Sequence, residues 1–118
     1  MKYKALGKYL LSQKEALKDF PFGDEVAVFK VLGKMFALVF WKGNPLQINL
    51  KCEPKEAERL RSEFEAIKPG YHMNKKHWNT ITLDGSISED LLTDMIENSY
   101  FLVVKSLRKK DRERLWEE

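Results

Sequence analysis

A chain of 118 residues is the length of one domain, and 43% hydrophobic residues with 12% aromatics can fill one core, while the 33% charged residues alternate with apolar positions and so exclude a disordered chain. The longest apolar run, Met35–Trp41, falls far short of the ~20 residues of a membrane helix, Met1–Leu11 carries Lys2, Lys4 and Lys8 without an apolar stretch, and the lone Cys52 cannot form an internal disulfide; the expectation is a cytoplasmic chain with no membrane segment. The formal charge of +3 hides a segregation: Val26–Cys52 holds Lys30, Lys34, Lys42 and Lys51 and no acid, Lys68–Leu83 holds Lys68, Lys75 and Lys76 with His72 and His77 and again no acid, and the rest is net acidic.

Tyr3, Leu6 and Leu10 recur at helical spacing, and Ser12 with Glu15 has the S-x-x-E form of a capping box, which predicts an N-terminal helix that breaks and restarts as a short second turn. Phe20-Pro21-Phe22-Gly23-Asp24 interrupts any helix, because proline lacks the amide donor and glycine supplies a turn. Val26–Val31 and Met35–Trp41 are rich in β-branched and aromatic residues, and Leu32-Gly33-Lys34 between them is short enough for a tight hairpin. Lys42-Gly43-Asn44-Pro45 makes the next turn. The third strand has a period of two, with Leu46, Ile48 and Leu50 on one face and Gln47, Asn49 and Lys51 on a face expected to be at least partly wet.

Pro54 after Glu53 opens a helix at the position where a missing amide costs nothing, and Ala57, Leu60, Phe64 and Ile67 form its apolar stripe. Beyond Lys68-Pro69-Gly70 a polar loop leads to a strand over Trp78–Leu83 that ends at Asp84-Gly85. Ser88, followed by Glu89 and Asp90, caps a long helix whose buried face carries Leu92, Met95, Ile96, Ser99 and Val103. The tail from Ser106 to Glu118 is of mixed charge, helical, and anchored by Leu107, Leu115 and Trp116. Turns after Val31 and Trp41 are too short for parallel crossovers, so the prediction is a single α+β domain over residues 1–118 with an antiparallel sheet of at least four strands packed with helices.

No complete chemical constellation emerges. His72 and His77 are five apart, without helical zinc-site spacing, and Cys52 is distant from both, so no metal is expected. The serines read as caps, no base neighbours Cys52, and no phosphate-cradling glycine loop is present; neither catalysis nor a cofactor is expected. The carboxylates of the two later helices and the balanced tail cluster Arg108, Lys109, Lys110, Arg112 and Arg114 read as solvated helix faces. The stretch KPGYHMNKKHWNT (68–80) stands apart. It interleaves cations and amides with Tyr71, His72, His77 and Trp78 and contains no acid; lysines neutralise phosphates, and aromatic faces stack on bases.

In this stretch, and in FPFGDEVAVFKVLGKMFAL (20–38), INLKCEP (48–54), LDGSI (83–87) and SYFLVV (99–104), the chain resembles the MmcQ/YjbR family over nearly its whole length. The resemblance implies the compact CyaY-like α+β fold of bacterial frataxin and a DNA-binding role through a double-wing arrangement; it brings no catalytic residues. It does not bring iron binding either, because the acids are dispersed over several helices and the first helix lacks the dense acidic ridge such binding needs.

The function expected is therefore a non-enzymatic, monomeric DNA-binding domain with little sequence preference. Its contacts would come from the lysine-bearing sheet and from Lys68, Tyr71, His72, Asn74, Lys75, Lys76, His77 and Asn79, while Trp78, which opens a strand, is expected to be buried. The rival reading is a protein-interaction module using the open sheet face or the terminal helix, suggested by Trp41, Trp116 and the near-neutral tail.

Overall fold

Period-two apolar residues draw the middle of the chain into a sheet, and helices form where the period lengthens to that of an α-helix. The computed structural model describes residues 1–116, with Trp116 described by its backbone alone. The order is α1 (Tyr3–Leu11), β1 (Ala16–Asp19), β2 (Ala27–Val31), β3 (Lys34–Phe40), β4 (Gln47–Lys51), α2 (Pro54–Glu63), β5 (Ile67–Pro69), β6 (Trp78–Thr82), α3 (Glu89–Lys105) and α4 (Lys109–Trp116). The six strands form one sheet in the order β1-β2-β3-β4-β6-β5, and every neighbouring pair is antiparallel. Leu32 and Gly33 both have positive φ, as a two-residue hairpin turn between twisted strands requires.

One face of the sheet carries the main core. Phe29 and Val31 of β2, Val39 of β3, Ile48 and Leu50 of β4 and Ile81 of β6 pack beneath Leu6 and Leu10 of α1 and Leu92, Ile96 and Val103 of α3. Ala57 and Leu60 of α2 join the same core, as do Leu107 and Leu115 at either end of α4's approach, so all four described helices lie on this side. Ser88 caps α3 by accepting from the Leu91 amide.

Three local expectations are corrected. Ser12 does not restart a helix but closes α1, its hydroxyl donating to the Tyr9 carbonyl; Glu15 then takes a positive φ that turns the chain into β1, a strand the sequence pattern did not reveal. The second helix stops at Glu63, because Phe64 is already extended, and Ile67 leaves the expected helical stripe to pair with Ile81 in β5. Finally, Asn49 on the supposedly wet face is fully buried.

Candidate nucleic-acid interface

The helix-free face follows from the register. Residues opposite one another across an antiparallel pair share a face, so Asp19, Val28, Leu38, Asn49, Thr80 and Lys68 form one row from edge to edge. An acid begins this row and a lysine ends it. Beside the row, Lys51 stands opposite Trp78, and Phe40 opposite Gln47. Val28, Leu38 and Trp78 make a second, smaller apolar cluster with Met35 and Met73 against it; Trp78, at 8% exposure, is a core residue of that cluster.

The segment Gly70–His77 folds back over this face and is pinned by two buried polar side chains. Asn49 donates to the Tyr71 carbonyl at 3.0 Å, the Tyr71 amide donates to the Thr80 hydroxyl at 2.9 Å, and that hydroxyl donates to the Asn49 amide oxygen at 2.6 Å. Both main-chain groups of Tyr71 are thus satisfied by side chains, as burial of backbone demands. Its ring is left 57% exposed, edge-on to Phe40 with centroids 6.4 Å apart and 3.9 Å from the ring of His72. His72 holds a positive φ of 60°, which turns the chain at the loop's outer edge. At the base, Gly70 lies so close to Trp78 that a Cβ would sit 2.7 Å from that residue's own Cβ. From behind, Arg61 of α2 donates to Asn79 at 2.6 Å, to the Trp78 carbonyl at 3.2 Å and to the Lys75 carbonyl, so a guanidinium bonded to neutral oxygens ties the loop to a helix.

The residues singled out in the sequence divide accordingly. Lys68, Tyr71, His72, Asn74, Lys75 and Lys76 are exposed and lie together along β5 and the loop; His77 is half-buried. Asn74 accepts from the Lys76 amide, and the Lys75 ammonium donates to the Gly70 carbonyl at 3.0 Å, while the ammonium groups of Lys68 and Lys76 have no partner among the described residues. Asn79 does not join them. At 2% exposure it points to the helix side, bonded to Arg61 and to the Ala57 carbonyl, because it sits one residue out of step with Trp78 and Thr80 on the strand. Nor does the sheet present all its lysines: Lys34 sits at the hairpin end and reaches the Ser106 carbonyl, Lys42 pairs with Asp24, and Lys30 pairs with Asp19. Trp41 is stacked on Tyr3 and donates to the Asp24 carbonyl. The side chain of Trp116 lies outside the described residues.

Sequence pattern did not disclose the other wall. Phe22, from the loop between β1 and β2, faces Tyr71, His72 and Met73 across a groove of about 270 Å³ floored by Val26, Leu38 and Phe40. Phe22 is 63% exposed. Asp19, Asp24 and Glu25 lie on that side, where Lys30 pairs with Asp19 and Lys42 with Asp24, so the acids of this bank are largely balanced while the loop bank carries lysines and no acid. The signal that existed was the pair of phenylalanines flanking Pro21, which reads first as a turn. A second cleft of about 340 Å³ lies between α2 and α3, with Cys52, Glu56, Met95 and Asp94 among its walls. Burial, reinforced by the nearby Glu56 carboxylate, pushes the Cys52 thiol up to about 11, which leaves it a poor nucleophile at neutral pH. Among the described residues no group of three or more His, Cys, Asp or Glu side chains could hold a metal ion, and no helix is long and apolar enough to cross a membrane.

A six-stranded antiparallel sheet with helices on one side and a pinned loop on the other defines the class, a small α+β domain of the DUF419 type: the Deinococcus radiodurans protein DR2400, a DUF419 protein, superposes with a TM-score of 0.91 at 41% identity over 97% of this chain and 87% of its own. The YjbR family model matches residues 11–102, and the chain belongs to the YjbR family. YbdF of Escherichia coli O157:H7 is 47% identical over 80% of this chain and 78% of its own length, and YjbR of Escherichia coli K12 is 35% identical over 73% of each. A Pseudomonas syringae protein superposes with a TM-score of 0.75 at 28% identity, covering 86% of this chain and 98% of its own.

Proposed function

We propose that the protein is a non-enzymatic, monomeric DNA-binding domain of the cytoplasm, with little sequence preference, and that it binds through Lys68 and the Gly70–His77 loop. The observation that carries this reading is the loop itself: an acid-free, lysine-bearing segment held rigidly over the helix-free face, with Tyr71 and His72 outward. Fixed cations suit a polyanion because each phosphate neutralised releases condensed counterions, and rings held outward suit base faces. Lys51 adds a further cation on the same side of the sheet. For the rival, a protein-interaction module using the terminal helix or the open sheet face, burial of Leu115 in the core leaves α4 its charged outer face. The sheet-face version keeps the exposed Leu17, Phe20 and Phe22 in its favour.

The test is a salt series of binding to labelled DNA for the wild type and for the combined Lys68→Ala, Lys75→Ala and Lys76→Ala variant. The slope of log K against log salt should fall in magnitude by roughly 0.9 for each lysine that meets a duplex phosphate, or about 0.7 on a single strand. Thermal unfolding of the variant checks the fold, since Lys75 also bonds the Gly70 carbonyl. An unchanged slope in a folded variant removes the loop from the site.

A further inference from the structure

We infer that the groove between Phe22 and Tyr71 receives an unpaired nucleobase, which makes single-stranded rather than duplex DNA the preferred ligand; the inference rests on the nucleic-acid reading above and names its substrate class.

The groove is recessed and apolar, with Val26, Leu38 and Phe40 as its floor and an aromatic ring on either side. Phosphate has no use for such a surface, and a base inside a duplex cannot reach it. At about 270 Å³ it falls just below the ~300–1,000 Å³ of pockets that enclose drug-sized ligands, so it takes one ring system and not a length of chain. Its two rims are large aromatic side chains left 63% and 57% exposed, an arrangement that places π-faces where a planar ligand can slide between or onto them. Tyr71 is preorganised for this: Asn49 and Thr80 hold its main chain, which frees the ring from any structural hydrogen bond and lowers the entropy lost on contact.

Charge supplies the direction. The bank formed by Lys68 and the loop has no acid from Lys68 to Leu83, whereas on the Phe22 bank the lysines Lys30 and Lys42 are already paired with Asp19 and Asp24, and Glu25 adds a negative charge. The sugar-phosphate chain therefore tracks the Lys68–Lys76 side, and its base points across the groove towards Phe22. All four described helices lie on the opposite side of the sheet, so no helix on this face is available to enter the major groove of a duplex. Because the groove offers rings and aliphatic groups and few polar atoms, every base fits it on its π-face, and the expected sequence preference at this position is low.

The experiment measures fluorescence anisotropy of the full-length protein with a labelled oligo-dT, with the same strand carrying abasic sites, and with a duplex of equal length. Phe22→Ala and Tyr71→Leu are compared with the lysine variant described above. Both aromatic positions are exposed, so the variants should fold, and circular dichroism and sedimentation confirm it. The expected result is at least about tenfold tighter binding of oligo-dT than of duplex, and a loss on the order of 5- to 100-fold for either aromatic variant and for the abasic strand, at an unchanged salt slope. If strand and duplex bind alike and the aromatic variants are neutral while the lysine variant is impaired, the base site is overturned and the DNA reading stands. If neither DNA binds, both fall. A wild-type dimer that Tyr71→Leu or Phe22→Ala dissociates would make the groove a protein interface and overturn the base site as well.

Discussion

Ser99 shows how much a single hydroxyl can decide. Fully buried on α3, it accepts from the Lys51 amide at 2.9 Å and donates to the Phe36 carbonyl at 2.6 Å. Those two groups belong to β4 and β3 at the point where the ladder between them stops: β3 carries an extra residue, Phe36, between the partners of Phe29 and Lys30. The hydroxyl replaces a missing rung. Ser99→Ala should therefore lower unfolding stability by about 1–3 kcal/mol, measured by urea titration, because buried backbone groups lose their partner. Its place on the buried stripe was legible from helical period; its task was not, since its partners lie 48 and 63 residues away. Asn49 is similar. Strand alternation put it on a face expected to be wet, and only the returning loop, whose Tyr71 carbonyl it holds, made that position interior.

At the scale of elements, the sequence was most readable where one local rule acted alone. The β2–β3 hairpin, the Pro54 helix start and the Ser88 cap each follow from turn chemistry or capping, with no distant partner required. The short edge strands were not readable. β1 has four residues and β5 three, too few for a period to register, and both exist because a neighbouring strand offers them hydrogen bonds. The loop between β5 and β6 depends on such contacts throughout, and Gly70 is its tightest point. Gly70→Ala would place a methyl group against the Trp78 main chain as well as its Cβ, neither of which can swing aside. The expected outcome is a loss of about 1–3 kcal/mol in chemical denaturation and a displaced Tyr71, seen as increased exchange of the Tyr71 amide now held by Thr80.

For the molecule as a whole, α4 tests how far the core extends. The family model ends at residue 102, yet Leu107 and Leu115 are packed into the same core as the sheet, and Arg114 reaches Glu15 before β1 at 2.8 Å. Leu115→Ala should cost about 2–5 kcal/mol and lower the midpoint of one cooperative thermal transition, with no separate early step, because the side chain belongs to the shared core. An isolated early loss of helix signal would mean that α4 is merely laid on the surface.

By itself, the sequence determined the α+β class, the antiparallel sheet, the long capped helix and the existence of an acid-free lysine loop, because each of these is written in residue type and short-range period. Tertiary structure alone decided what that loop is part of. It withdrew Asn79 to the helix side, drew Lys34 to the Ser106 carbonyl, paired Lys42 with Asp24 and brought Phe22, some fifty residues distant in the chain, opposite Tyr71. The physical reason is that a groove has two banks. Each is set by local chemistry, but the distance between them is set by the pairing of β2, β3, β4 and β6, and no local pattern in either bank encodes it.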